Sequence, residues 1–447
     1  MTAGTGLAPG SGTAGHAASA PPAPAGRPPR LWPMATGTFA IGFGSYVMAG
    51  LVPSVSADLG VSVTQVGTLV GVYGFTYAVS TPLLTLAVGR VPRRLLMCVA
   101  LGLFALAAAG TALATTYTQV AVLRGLSAVA AGGFTPTATV LAARLAPPGG
   151  RGRAVATVFG GLTTATVLGA PAGNLLGPVL GYRGVYALVG VLALVALGSV
   201  LLLVRTGPAT VPGPADDDAA AVPAPPPGAA LPPAAAVPPV PGAARPVAVP
   251  DAQRPGAGPA LPGLVAVVLG VSMLETAAAL MVQTYASPLL TDLAGLTGAL
   301  LSAVLLAYGV AGVAGNVVGG RLADRFGAAR SIVLALGTST LALLLLTPAT
   351  ATAWTALAVF ALWGFAAWAM NSPLQNVLLT LAGRHGQLVV ALNSSIISLG
   401  TGLGALAGGW VVAGPGYALL GAVAAGVMLL AVVLVALVSR RPAVARV

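Results

Sequence analysis

The stretch Arg90-Val-Pro-Arg-Arg-Leu-Leu-Met-Cys-Val-Ala-Leu-Gly102 returns as Arg325-Phe-Gly-Ala-Ala-Arg-Ser-Ile-Val-Leu-Ala-Leu-Gly337, an offset of 235 residues. Gly169-Ala-Pro-Ala-Gly173 returns as Gly404-Ala-Leu-Ala-Gly408 with the same offset of 235. Two matches that share one offset argue for duplication far better than either alone. Between the copies, from Arg205 to Pro262, lie 17 of the 37 prolines and the acidic run Asp216, Asp217, Asp218. On both sides of this break the chain is apolar almost without interruption. The reading is therefore two related hydrophobic halves joined by a polar tether, a layout built from internal repeats.

Composition says what those halves are. Hydrophobic residues make up 57% and charged residues 6%, with mean hydropathy +0.95. Soluble domains carry roughly 25% charged residues, so the chain reads as an integral membrane protein. The apolar runs are about 20 residues long, the length that crosses a bilayer as a helix and satisfies its own backbone groups there. All 20 basic residues are arginine. Without lysine there is no Gly-Lys-Ser/Thr phosphate loop, so ATP bound in that way is excluded as an energy source. Cys98 is the only cysteine, which excludes internal disulfides and thiolate metal clusters.

Hydropathy predicts an all-α membrane protein with twelve spans. The first half holds 33–53, 64–87, 95–115, 119–143, 154–180 and 184–204. The second holds 263–289, 297–319, 330–348, 354–381, 388–412 and 416–438. Residues 1–32 are predicted as a disordered cytoplasmic tail, 33–204 as one six-helix bundle and 205–262 as a cytoplasmic linker. Residues 263–438 are predicted as the second bundle and 439–447 as a short cytoplasmic tail. Arginine placement sets the orientation. One set of loops, with the tails, holds nearly every arginine; the opposite loops hold only Arg183, beside Asp58 and Asp292. Both termini and the linker are thus expected in the cytoplasm. His385 and His16 fall in a cytoplasmic loop and the tail, where they read as solvated.

Some residues stand out against this background. Gly320-Arg-Leu-Ala-Asp324-Arg325-Phe-Gly327 reads as a loop after the eighth span, where Asp324 can pair with an arginine or a helix N-terminus and Arg325 with carboxylates or carbonyls. Arg124 lies within the fourth span, where an arginine costs about 3 kcal/mol or more and must face protein or water, or else reach the nearby interface. Glu275, near the middle of the seventh span, is the one carboxylate inside a span; a buried charge there must find a partner or bind a proton. Gln283 shares its helix face. Gly160, Gly169, Pro171 and Gly173 on the fifth span suit close helix packing and a kink. Trp368, Asn371 and Gln375 form a polar-aromatic stripe on the tenth span. Phe43 and Tyr46 on the first and Phe134 and Thr137 on the fourth add aromatic and hydroxyl groups.

The Gly-x-x-x-Asp-Arg-x-Gly pattern at 320–327 resembles the loop signature of the major facilitator superfamily. In the first-half copy Arg90, Arg93 and Arg94 are present, but Gly89 occupies the Asp position. The resemblance implies two pseudo-symmetric six-helix bundles and a latch at Gly320, Asp324, Arg325 and Gly327, with Arg90, Arg93 and Arg94 as its counterpart. It also implies a central cavity lined by the first, fourth, seventh and tenth spans. Arg124 is similar to the intramembrane arginine of proton-coupled members. Gly160, Gly169 and Gly173 are similar to the glycine signature of the antiporter branch, with Asn174 standing where that pattern has proline.

Arg151-Gly-Arg-Ala-Val-Ala and Tyr308-Gly-Val-Ala-Gly-Val-Ala-Gly-Asn-Val-Val-Gly-Gly-Arg-Leu-Ala-Asp324 point within the family to the drug:proton antiporter branch, with its chloramphenicol-resistance and sugar- or arabinose-efflux proteins. The implied function is export of small, moderately apolar molecules, chloramphenicol-like solutes among them, by alternating access. Proton coupling would run through Glu275 and Arg124. The chain is expected to be no enzyme and to need no cofactor beyond a proton gradient. Its expected partners are the solute and the lipid bilayer, not nucleic acid, and it is expected to act as a monomer. The Ala/Gly/Pro-rich, lysine-free composition suggests a bacterial inner membrane. Two alternatives stand beside this: an exporter of sugars, nucleosides or amino acids on the same fold, and a non-transporting receptor or scaffold.

Overall fold

The structure, a computed structural model, describes residues 31–87, 91–146, 150–204, 262–382 and 386–439. The N-terminal tail, the linker and the C-terminal tail predicted from sequence fall outside these residues, apart from a few at their edges. Among the described residues the chain forms helices and no strands: α1 (Trp32–Leu59), α2 (Val63–Ala87), α3 (Arg93–Leu113), α4 (Tyr117–Leu145), α5 (Arg151–Leu203), α6 (Pro262–Gln283), α7 (Ala286–Ala294), α8 (Gly298–Phe326), α9 (Ala328–Leu344), α10 (Leu346–Ala349), α11 (Ala353–Ala369), α12 (Asn371–Ala382), α13 (Gly386–Ala413) and α14 (Tyr417–Ser439). Twelve spans result. Gly181, at φ 63°, breaks α5 into two, while α6 with α7, α9 with α10, and α11 with α12 each make one.

The duplication reaches into the backbone. Helices α2 and α8 start at 63 and 298, and α3 and α9 at 93 and 328, each pair 235 apart. The left-handed turns obey the same offset: Gly60 pairs with Gly295 and Gly181 with Gly416, all at positive φ where glycine is favoured. Even the side-chain cap is copied. Ser56 Oγ donates to the Val61 carbonyl at 2.6 Å, and Thr291 Oγ1 donates to the Leu296 carbonyl at 3.0 Å.

Some predicted boundaries differ. The first span does not stop at 53 but continues through Pro53 to Leu59; in a membrane helix, neighbouring helices accommodate a proline that would end a soluble one. The seventh and tenth spans are not continuous but break at Thr284–Tyr285 and at Met370. The 320–327 motif is not a loop: Gly320 through Phe326 continue α8, and only Gly327, at φ 85°, leaves the helix to turn into α9.

Lipid is as apolar as leucine, so helices associate by close packing more than by hydrophobic force. Helix α5 lies along α1 because Gly161, Gly169 and Gly173 let its backbone touch α1 at Ala35, Tyr46 and Val47. The second half repeats the device, with Gly404 and Gly408 of α13 against Ala277 and Met281 of α6. Helices α8 and α11 approach as closely: a Cβ at Gly315, Gly319 or Gly364 would collide with the carbonyls of Phe365, Ala369 or Tyr308. Gly319→Val should therefore cost at least about 1–3 kcal/mol by overpacking and lower the thermal midpoint in detergent. Gly337→Val, at a position with open space around it, should leave the midpoint within error of the native protein.

Candidate transport site

Each half has a tyrosine at one equivalent position, Tyr73 on α2 and Tyr308 on α8, again 235 apart. The charged groups beside them are not duplicated. Arg124 has Val359 as its equivalent, and Glu275 has Ala40.

Arg124 is 2% exposed, so it does not reach the interface. One guanidinium nitrogen donates to the Gly44 carbonyl of α1 at 3.0 Å and to Tyr186 Oη at 3.2 Å. Its centre lies 4.6 Å from the Tyr73 ring centroid, a cation–π distance. Tyr73 Oη in turn accepts from Ser45 Oγ at 2.6 Å. A side chain on Gly44 would meet Val189 and Phe104 within 3 Å, so glycine keeps that turn of α1 pressed against α3 and α5. Arg124 thus ties α4 to α1, α2 and the second half of α5.

Glu275 is 9% exposed and lies in the other bundle. Thr276 Oγ1 donates to its Oε2 at 3.2 Å. Tyr308 lies within electrostatic reach of the carboxylate. Among the described residues the one salt bridge joins Arg183 to Asp58 at 3.2 Å on the surface. The structure therefore does not bring Glu275 and Arg124 together; each is held by its own half.

The predicted cavity residues separate into two groups. Phe43, stacked on Phe39 at 5.7 Å, and Phe134, wholly buried against Gly37, are core of the first half. Tyr46 lies within electrostatic reach of Tyr73, Tyr77 and Tyr308. Trp368 packs against the backbone of Gly312. Tyr46, Tyr73 and Tyr77 of the first half thus cluster together and reach Tyr308 of the second, which is the tyrosine within reach of Glu275. Thr137 donates to the Gly133 carbonyl of its own helix at 2.7 Å. Gln283 ends α6 and Asn371 begins α12, both half-buried, while Gln375 is exposed. Sequence reasoning missed Tyr73, Tyr186 and Tyr308. The repeat offset linked Tyr73 to Tyr308, but only the fold puts a charge beside each.

At the arginine-rich end, Asp324 and Arg325 are exposed; Arg325 lies 5.3 Å over the Phe326 ring, and among the described residues Asp324 has no salt bridge. Arg94 donates to the Leu201 carbonyl at 2.5 Å, within its own half; Arg93 also has an interaction partner. Arg90 lies outside the described residues. Gly160 faces open space, and the adjacent Gly161 makes the contact with α1; Gly169 and Gly173 pack as described, and Pro171 is buried within α5.

Two six-span bundles related by duplication, meeting around aromatic and ionisable groups, define a polytopic membrane transporter. The chain belongs to the Major Facilitator Superfamily, whose family model matches residues 34–387 and 260–447. It is 32% identical over 368 residues to a chloramphenicol resistance protein of Streptomyces lividans, covering 82% of this chain and 79% of that one. It is 29% identical to the inner membrane transport protein YdhP of Escherichia coli K12, covering 90% and 94%, and 26% identical to the uncharacterized MFS-type transporter YbcL of Bacillus subtilis, covering 85% and 88%. Its fold is similar to that of a bacterial homologue of the human lysosomal transporter Spinster, crystallised inward-facing and occupied, with a TM-score of 0.66 at 16% identity over 91% of this chain and 94% of that one.

Proposed function

We propose that the protein is a proton-coupled exporter of small, moderately apolar, aromatic-bearing solutes, with chloramphenicol-like compounds as the first class to test. The observation that carries the coupling is Glu275: a carboxylate buried within a span, with Thr276 and no cation beside it among the described residues. Such a group is suited to carrying a proton, because a lasting charge there is costly. The surrounding tyrosines and Trp368 favour flat, weakly polar solutes, and the S. lividans relative supports the antibiotic class. One proton moved through 100 mV supplies about 2.3 kcal/mol, enough for roughly fifty-fold accumulation. Solute uptake into inside-out vesicles under an imposed pH gradient tests the reading directly. No uptake across a panel that includes chloramphenicol, sugars and nucleosides would sink it.

The arginine distribution supports cytoplasmic termini. In a Cys98→Ser background, a membrane-impermeant maleimide on intact cells should label Ala413→Cys, at the end of the chain opposite the termini. Asp324→Cys should label only after permeabilisation. The reverse pattern would overturn the orientation. In that orientation contacts that join the halves, Asn174 of α5 with Gly298 and Ser302 of α8 and Gly67 of α2 with Tyr285, lie towards the outside. The halves are then joined at their outer ends.

A further inference from the structure

The 235-residue offset maps Gly50, Asn174 and Ser302 onto Tyr285, Gly409 and Gly67. Five of them, Asn174, Ser302, Tyr285, Gly409 and Gly67, lie where the two halves meet, at the end away from the termini, and Gly50 packs on α5 behind Asn174. At the α5–α8 seam, the Asn174 side-chain amide donates to Ser302 Oγ at 2.8 Å and to the Gly298 carbonyl at 3.0 Å. Ser302 Oγ donates back to the Pro171 carbonyl at 3.3 Å. Gly50 contributes no side chain, and a Cβ there would collide with the Ala170 carbonyl and lie 2.7 Å from the Asn174 backbone nitrogen. At the α2–α13 seam the pattern is inverted. The first-span position now bears Tyr285, and the two seam positions are the glycines. A Cβ on Gly67 would collide with the Tyr285 hydroxyl, and one on Gly409 would come within 2.8 Å of it. Tyr285 is completely buried at the break between α6 and α7, and its hydroxyl donates to the Ala405 carbonyl at 3.0 Å.

We propose that these residues are the gate at this end of the transport path: a hydrogen-bonded clasp, Asn174–Ser302, on one seam, and an aromatic wedge, Tyr285, on the other. The two open by different chemistry. The clasp bonds lie between the halves and must break when the halves part. The wedge is bonded to its own half and only slides off the glycine surface of α2. The clasp therefore sets how firmly the gate closes, and the wedge sets whether it can close at all. This inference rests on membership of the transporter family and not on proton coupling or on any particular solute.

The test uses the full chain in lipid nanodiscs with Cys98→Ser and nitroxide labels at Ala57→Cys and Ala413→Cys, exposed positions on opposite halves. Double electron–electron resonance should show a predominant short distance. Asn174→Ala, which removes two inter-half hydrogen bonds, should raise the long-distance fraction about tenfold relative to the short. Gly67→Ala should make the long distance predominant, and adding Tyr285→Ala should restore the short one. Native-like distributions in both single variants overturn the gate. A Gly67→Ala/Tyr285→Ala double variant that stays long overturns the wedge, because the damage then does not run through the tyrosine. Independently, oxidative cross-linking of Asn174→Cys to Ser302→Cys should stop transport and reductant should restore it; transport that continues with the cross-link formed overturns the clasp.

Discussion

Replacing Glu275 by glutamine should abolish gradient-driven solute accumulation while leaving the protein folded. Glutamine has the same shape, and its amide oxygen can still accept the hydrogen bond that Thr276 Oγ1 makes to Glu275 at 3.2 Å. No ion pair is broken, because among the described residues Glu275 has none. The substitution even removes the cost of a carboxylate in a membrane span. What it removes functionally is the capacity to bind and release a proton. Uptake into inside-out vesicles should fall from roughly fifty-fold accumulation per proton at 100 mV towards equilibration. Solute exchange without a gradient should persist, since the aromatic surfaces of Tyr46, Tyr308 and Trp368 are untouched. Undiminished gradient-driven uptake in Glu275→Gln would remove Glu275 from the coupling role; loss of exchange as well would mean that the residue holds solute.

The second large effect is a separation of stability from activity at Arg124. Its hydrogen bonds to Gly44 and Tyr186 contribute on the order of 1.5–3 kcal/mol each, and its stacking on Tyr73 about 2. Against them stands about 3 kcal/mol or more for a membrane-buried arginine with no carboxylate at hand. The sum of the contacts exceeds that cost, but most of it compensates a buried charge that the substitution itself removes. A buried charge replaced by an apolar chain of similar length is often neutral or stabilising, and Tyr186 can still donate to the Gly44 carbonyl, now 3.4 Å away. Arg124→Met should therefore leave the thermal midpoint within a few degrees of the native value. Transport should drop by about tenfold or more, because Arg124 fixes α1 and α2 relative to α4, and those helices carry Tyr46 and Tyr73 towards the other half. Full transport in Arg124→Met with a midpoint as low as that of Gly319→Val would make Arg124 a packing residue and nothing more.

The two charged positions were legible in the sequence for a simple reason. An ionisable residue in an otherwise apolar span is costly enough to stand out from composition alone. Their surroundings were not legible. A single arginine and a single glutamate invite pairing across the halves, yet the fold holds them apart, one against a carbonyl and tyrosines, the other beside a threonine. The aromatic residues show the same limit. Phe43 and Phe134 look like cavity walls from their helix positions, but glycines at nearby turns let them sink into the first-half core. Tyr73 and Tyr308 carry no sequence signal until a charge is found beside each. Gly160 and Gly161 are indistinguishable by type, and only the rotation of α5 decides which one meets α1.

By itself the sequence determined the class of fold: long apolar runs in a chain with few charges have no other way to satisfy their backbone than as membrane helices, and one offset of 235 residues makes the halves copies. In the structure the same offset recurs in helix starts, positive-φ glycines and capping hydroxyls, because those depend on local backbone geometry that duplication preserves. Only the tertiary structure decided how the copies diverged. At the seams between the halves a residue's role depends on what the other half presents within a few ångströms. Thus Asn174 and Ser302 bond across one seam, while glycines at the equivalent positions make room for Tyr285 at the other.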